Sequence, residues 1–225
     1  MSRAIKRVRT PPFSRQTLAV RTAFDTAAGM AISDIIDASS TAAVISNPRL
    51  PDNPIIACNE AFLRLTGYSR SEILGRNCRF LHGAETEAAS SELLRSAIRQ
   101  KKPAIVEITN YRKDGSPFRN AVMIAPMFDS DGGLEYFLGS QVEVAAVASA
   151  GADSRKGMAT ARVSALTERQ RRILVLMSAG KLNKQIAFDL GLSERTVKMH
   201  RAALFQALGV RTGADAIRLA VEAGY

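Results

Sequence analysis

The 225-residue chain has no tryptophan, two cysteines and two histidines. Cys58 and Cys78 are too few for a disulfide framework and lack the spacing of a zinc site. With His82 and His200 as the other soft ligands, no metal is expected. No apolar run approaches the roughly 18 residues of a membrane-spanning helix. The basic start MSRAIKRVRTPPFSRQ has no apolar core after it, so no secretory signal is expected. These absences point to a cytoplasmic protein without membrane partners. Nor is an acid–base pair, a second substrate site or a nicotinamide-binding loop apparent, and no enzymatic activity is expected.

What is present is a charge of one sign, unevenly spread. The net charge is +10, with +5 in residues 1–28, −2 in 29–145 and +7 in 146–225. An acidic-to-neutral middle between basic ends suggests a sensing or catalytic module joined to one that binds a polyanion.

Four segments are expected. Residues 1–28 read as a basic flexible arm. Residues 29–145 read as an α+β sensor, residues 146–165 as a small, polar linker, and residues 166–225 as an all-α domain of four helices. In the sensor, TAAVIS and PIIACN are strand patterns, and NEAFLRLTGY and SRSEILG are short helices, the second opened by Ser69 or Ser71. SSELLRSAIRQKK predicts an amphipathic helix with Leu93, Leu94, Ala97 and Ile98 on one face. PAIVEITNYR, SPFRNAVMIAPMF and LEYFLGSQVEV then form an antiparallel meander across short turns.

Side chains alternate along strands, so parity sorts them. Val106, Ile108 and Asn110 share a face with Phe118, Asn120, Val122 and Ile124, and with Phe137, Gly139 and Gln141. Each strand sends one carboxamide inward, and an unsatisfied buried amide costs about 1–3 kcal/mol. Either loop backbone satisfies each amide separately, or one planar heterocycle serves all three, flat against Ile108, Val122 and Phe137. Gly139 would leave room for such a ring.

The stretch GRNCRFLHG sets Cys78 between Asn77 and Arg79. With GRNCRFL in place, and NYRKDG, FRN and GSQ following in order, residues 40–144 resemble the light-oxygen-voltage (LOV) branch of the PAS family. The resemblance implies FMN as cofactor and Cys78 as the photoactive thiol that forms a cysteinyl-flavin adduct under blue light. It also implies that Asn77 contacts the ribityl chain or ring, and that Arg79 and Arg95 bind the phosphate. Leu81 falls inside the motif. Asn110 and Asn120 would read the ring's pyrimidine edge, and Gln141, beside its N5, would relay the signal by flipping its amide. His82 stands where the family usually has glutamine. Cys58 reads as a small buried residue.

From Leu166 onward, LTERQ, NKQIAFDLGLSERTVKMHR and ALGV resemble the LuxR/NarL-type helix-turn-helix, with Gln170 and Gln185 where glutamates are common. Ile186, Leu190, Leu192, Val197 and Leu204 are its expected core. Glu194, Arg195, Lys198 and Arg201 are expected to point outward. The expected contacts to double-stranded DNA are Lys184, Arg195, Thr196, Lys198, His200 and Arg201. The last helix carries Ala216, Ile217, Ala220 and Val221 as an apolar stripe, which the resemblance assigns to dimerisation.

The outward sheet face, with Ile105, Ala121, Met123, Ala125, Tyr136, Leu138 and Val142, is apolar enough to require a cover. The expectation is a blue-light-regulated transcription factor. The helix-turn-helix covers that face in the dark, and adduct formation frees it to form a homodimer on DNA. The alternatives are a homodimer on that face with the DNA-binding domain already free, and a flavin-based redox or ligand sensor without physiological photochemistry.

Overall fold

A computed structural model describes residues 33, 35–129, 131–144 and 148–225. The basic arm expected at 1–28 lies outside the described residues. Five strands make one antiparallel sheet in the order β2-β1-β5-β4-β3. They are β1 (Ala42–Ser46), β2 (Ile55–Cys58), β3 (Ala104–Tyr111), β4 (Pro117–Phe128) and β5 (Leu134–Glu143). Between β2 and β3 lie α1 (Glu60–Thr66), α2 (Arg70–Ile73), a 3-10 turn (Cys78–Leu81) and α3 (Ala88–Gln100). The helical half contains α4 (Ala148–Ser164), α5 (Glu168–Ser178), α6 (Asn183–Leu190), α7 (Glu194–Leu208) and α8 (Gly213–Glu222).

Local chemistry accounts for the helix ends. Asn59 opens α1 by accepting from the Phe62 amide, and Gly67 closes it in the left-handed conformation that glycine adopts without strain. Ser69, rather than Ser71, opens α2, and its backbone N–H donates to Glu72. Thr167 and Gln170 form a capping box on α5, and Ser193 caps α7.

Pairing puts Val122 opposite Gln141 and Ile108 opposite Asn120, so the inward residues inferred from parity share one face. That face meets a cluster made by Ala42, Val44, Ile55, Phe62, Ile73 and Leu81 under α1 and α2. The opposite face is continuous with the helical half. Ala43, Ile45, Met123, Ala125 and Leu138 form one core with Ile173, Leu174, Ala216, Ile217 and Ala220. Ala216, Ile217 and Ala220 of α8 are therefore buried within a core that runs from the helical half to the sensor sheet.

Two elements differ from expectation. The stretch 148–164, small and polar in composition, is a 17-residue helix. Ala159 and Val163 bury its inner side, and a chain of ion pairs reaches it from the sheet edge. Glu87 at the start of α3 pairs with Arg119 of β4, Arg119 lies 3.6 Å from Glu107 of β3, and Glu107 holds Arg155 of α4 at 2.5 Å. On α3, Leu93 is 60% exposed, while Ala97 is buried and Leu94 and Ile98 face the inner side of the sheet. Neighbouring positions on a helix point about 100° apart, so the narrow inward stripe takes 94, 97 and 98 and turns 93 away.

Candidate functional site

The inner face encloses a cavity of about 180 Å³, open to solvent on one side. Of the residues expected to bind a cofactor, Asn77, Cys78, Arg79, Leu81, His82, Arg95, Ile108, Asn110, Val122, Phe137, Gly139 and Gln141 line it. Asn120 stands behind them and donates through Nδ2 to Asn110 Oδ1 at 2.9 Å and to Gln141 Oε1 at 3.1 Å. The three amides are thus bonded to one another, which the sequence reading did not foresee. Asn120 Oδ1 is left buried with no partner. Such an orphan acceptor beside a cavity fits a ligand that brings its own N–H donors.

The wall includes residues that parity did not reach. Val44 and Ser46 come from β1, Asn53 from the turn before β2, Ser91 and Leu94 from α3. The alternation in TAAVIS already placed Val44 and Ser46 on one face. Asn53, at φ +46°, has a buried Oδ1 without a partner, and nothing in its local pattern announced that.

Cys78 opens the 3-10 turn, with Asn77 as its cap accepting from the Arg79 amide. Burial pushes the Cys78 thiol up to about 12 and the Cys58 thiol up to about 11. At neutral pH both are neutral thiols, so Cys78 is no resting thiolate nucleophile, as an activated catalytic cysteine would be. His82 sits at the rim. Partial burial, then the Arg95 and Arg79 cations, hold its pKa below the usual value, so it is neutral at pH 7.

The polar side chains expected to hold the cofactor's tail have protein partners here. Asn77 Nδ2 donates to the Asp52 carbonyl at 2.6 Å, tying down the 52–53 turn. Arg79 pairs with Asp52, and Arg95 with Glu92 at 3.1 Å. All four charged side chains are more than half exposed. Exposed pairs contribute about 0–1 kcal/mol, so a phosphate can take both arginines at little cost. The residues present therefore fit a phosphorylated planar heterocycle.

On the far side of the molecule α6 and α7 form the helix-turn-helix, with Gly191 left-handed between them. Ile186, Val197 and Leu204 are fully buried, with Leu190 and Leu192 packed beside them. Lys184, Arg195 and Lys198 are exposed, and Thr196 and His200 are half-buried. Arg201 is a correction. Its Nη1 donates to Asn183 Oδ1 at the start of α6 and its guanidinium lies 5.5 Å from the Phe205 ring, which bends the side chain inward across the two helices. Met199 is 65% exposed on the same outer face, and the sequence reading passed over it.

The contact between the halves is both apolar and polar. Ser39 Oγ donates to Asp215 at 2.5 Å, and Gln185 Nε2 donates to the Asp129 carbonyl at 2.5 Å. Gly180 adopts φ +81°, and its amide oxygen accepts from Phe128 N at 3.1 Å. A Cβ at Gly180 would fall 2.3 Å from the Pro126 oxygen, so no other residue permits this approach.

Among the described residues no group of three or more His, Cys, Asp or Glu could hold a metal. Among them, too, no helix is long and apolar enough to cross a membrane.

Comparison with known proteins agrees with this architecture. Residues 41–146 match the PAS domain family, and residues 164–220 match the luxR family of bacterial regulatory proteins. The chain is 44% identical over 136 residues to blue-light-activated histidine kinase 1 of Erythrobacter litoralis, covering 60% of this chain and 37% of that protein. It is 50% identical over 100 residues to phototropin-2 of Oryza sativa subsp. japonica, covering 44% of this chain and 11% of that protein. The chain thus spans well under half the length of these curated relatives. Among solved structures, the light-state LOV domain of Aureochrome1 is 42% identical, with 48% of this chain and 84% of that chain covered and a TM-score of 0.47. The chain thus joins a PAS domain, with blue-light receptors among its relatives, to a LuxR-family helix-turn-helix domain.

Proposed function

We propose that the protein is a blue-light-regulated DNA-binding transcription regulator that takes FMN in the inner cavity and acts as a dimer when lit. The observation that carries this reading is a single sheet with Cys78 and three amides on one face and the buried stripe of α8 on the other. FMN is favoured among flavins because Arg79 and Arg95 stand at the cavity with only exposed partners. Ile108, Val122 and Phe137 would lie against the ring, and Asn110, Asn120 and Gln141 would meet its polar edge. When bound, the flavin supplies a ring that blue light makes electrophilic towards a thiol.

The chain's own residues supply the rest. Cys78 holds a neutral thiol and its proton until then. Gln141 can exchange donor for acceptor by turning its amide, because it carries both. A changed bond at Gln141 moves β5, whose outer side chains contact α8. Released, α8 offers Ala216, Ile217, Ala220 and Val221 to a second copy, and two recognition helices then address paired half-sites. Light acts here only through the differential stability of docked and released states.

The test is an absorption spectrum before and after blue light, paired with hydrodynamic size and binding to a two-half-site duplex. Reversible bleaching with light-dependent dimerisation supports the reading. A bound flavin that never bleaches would move it to redox or ligand sensing.

A further inference from the structure

Arg218 lies in the middle of the docked face of α8, and its side chain is 7% exposed. It is a buried cation on the side of α8 that meets the sheet, between Asp215 and Glu222. Nη1 donates to the Ala121 carbonyl at 3.3 Å, to the Ser140 carbonyl at 3.2 Å and to Ser140 Oγ at 3.2 Å. Nη2 donates to Ala121 O at 3.3 Å, and Nε donates to Glu222 at 2.9 Å. Burial pulls the Arg218 pKa down, and Glu222 opposes that.

The two carbonyls are informative. Ala121 O belongs to the peptide unit that carries the Val122 N–H, and Ser140 O to the unit that carries the Gln141 N–H. Val122 and Gln141 are paired across β4 and β5, and both side chains line the cavity. The guanidinium on the outer face therefore grips the two peptide units that carry a wall residue and the amide expected to respond to light. Between the cavity and α8 lies one layer of backbone.

A buried charge is costly unless its hydrogen bonds are kept. An apolar contact loses little when strands shift by a fraction of an ångström, whereas a buried cation that loses two acceptors loses a large part of its compensation across the interface. We infer that Arg218 is the positioning residue that reads the cavity: a shift of the Ser140–Gln141 peptide takes Ser140 O and Oγ away from its guanidinium, and the weakened grip releases α8. The inference rests on the proposed light-driven release and names the group that converts a small strand movement into undocking.

Replacing both members of a buried ion pair by uncharged residues often leaves stability unchanged or improved, whereas removing one partner alone is destabilising. Arg218 pairs with Glu222, itself 16% exposed, so each Arg218 substitution is made and compared on a Glu222→Gln background that leaves no lone buried carboxylate. The flavin-loaded full chain carrying Arg218→Met should therefore stay docked in the dark, bleach normally and fail to open in the light. Hydrodynamic size and amide exchange of α8 would be followed in dark and lit samples beside the absorption spectrum. The lit, released fraction is expected to fall at least tenfold relative to Glu222→Gln alone, and Arg218→Lys should lie between.

Wild-type-like opening of Arg218→Met under light would overturn the inference. So would its opening in the dark, which would make Arg218 a simple fastener. If Arg218→Met does not fold, Arg218→Lys carries the same comparison, with an unchanged light response overturning the inference. A wild-type chain that bleaches without opening would remove the proposed function itself, a result read in a different sample.

Discussion

Gln185 Nε2 donates to the Asp129 carbonyl at 2.5 Å while Gln185 Oε1 accepts from the Leu182 amide at 2.8 Å. One side chain both caps α6 and ties it to the turn after β4. A glutamate can do the first but not the second, because an ionised carboxylate has no proton to donate. Gln185→Glu should keep α6 capped and loosen docking by about 1–3 kcal/mol. The check is dark-state hydrodynamic size, expected to shift towards the lit value; an unchanged dark state would dismiss the contact as incidental.

Asn120 supports both stability and binding. Its Oδ1 is buried without a partner, while its Nδ2 joins Asn110 and Gln141. Removing the side-chain amide relieves one orphan acceptor but strands two, Asn110 Oδ1 and Gln141 Oε1, and the ligand loses an acceptor. Asn120→Leu should lower the melting temperature of the flavin-free protein and weaken flavin binding by roughly ten- to a hundredfold. Calorimetry and flavin titration test the two halves separately.

Thiol reactivity should be low in the dark. With Cys78 raised to about 12 and Cys58 to about 11, both folded thiols stay protonated where an unfolded cysteine already ionises. Their contribution to stability is full below the ordinary cysteine pKa and falls as pH rises from there towards 11 and 12. Alkylation by iodoacetamide at pH 8 should be much slower in the folded chain than in urea. Cys78→Ala should retain flavin and show no bleaching under blue light.

Docking leaves the outward face of α7 open, with Arg195 and Lys198 exposed. An isolated half-site duplex should then bind dark and lit protein within a fewfold of each other, and light should sharpen binding to paired half-sites only. Lys198→Ala should weaken half-site binding and lower the salt slope by about one. A dark protein with no half-site affinity would mean that docking also blocks the reading helix.

His82 links binding to pH. Burial, then Arg95 and Arg79, hold its pKa down, and a bound phosphate would offset both cations. Its pKa then rises on binding, so the His82 contribution should hold flavin more tightly on acidification. His82→Gln should remove that dependence in a dialysis measurement of flavin retention.

Much of this architecture was legible because alternation and capping are local. Parity alone put Asn110, Gln141 and Val122 on one face, and the turn glycine Gly191 marked the helix-turn-helix. What escaped was set by long-range partners. The helix at 148–164 is weakly patterned, and Arg155 is fixed by Glu107 across the sheet edge. Arg201 turns inward because Asn183, eighteen positions earlier, offers an acceptor. Arg218 is half-announced by its spacing from Glu222, but its carbonyl acceptors lie 78 and 97 positions away.

The strict alternation of β4 and β5 has a consequence for engineering. Val122 and Gln141 belong to the cavity, while their immediate neighbours Ala121 and Ser140 belong to the helix that docks behind. Two chemistries are thus written in interleaved positions of the same strands. A designer can redirect the protein to a new output partner by rewriting every second residue, keeping the light-facing half of the text untouched. A deletion of one residue within either strand would exchange the two and erase both.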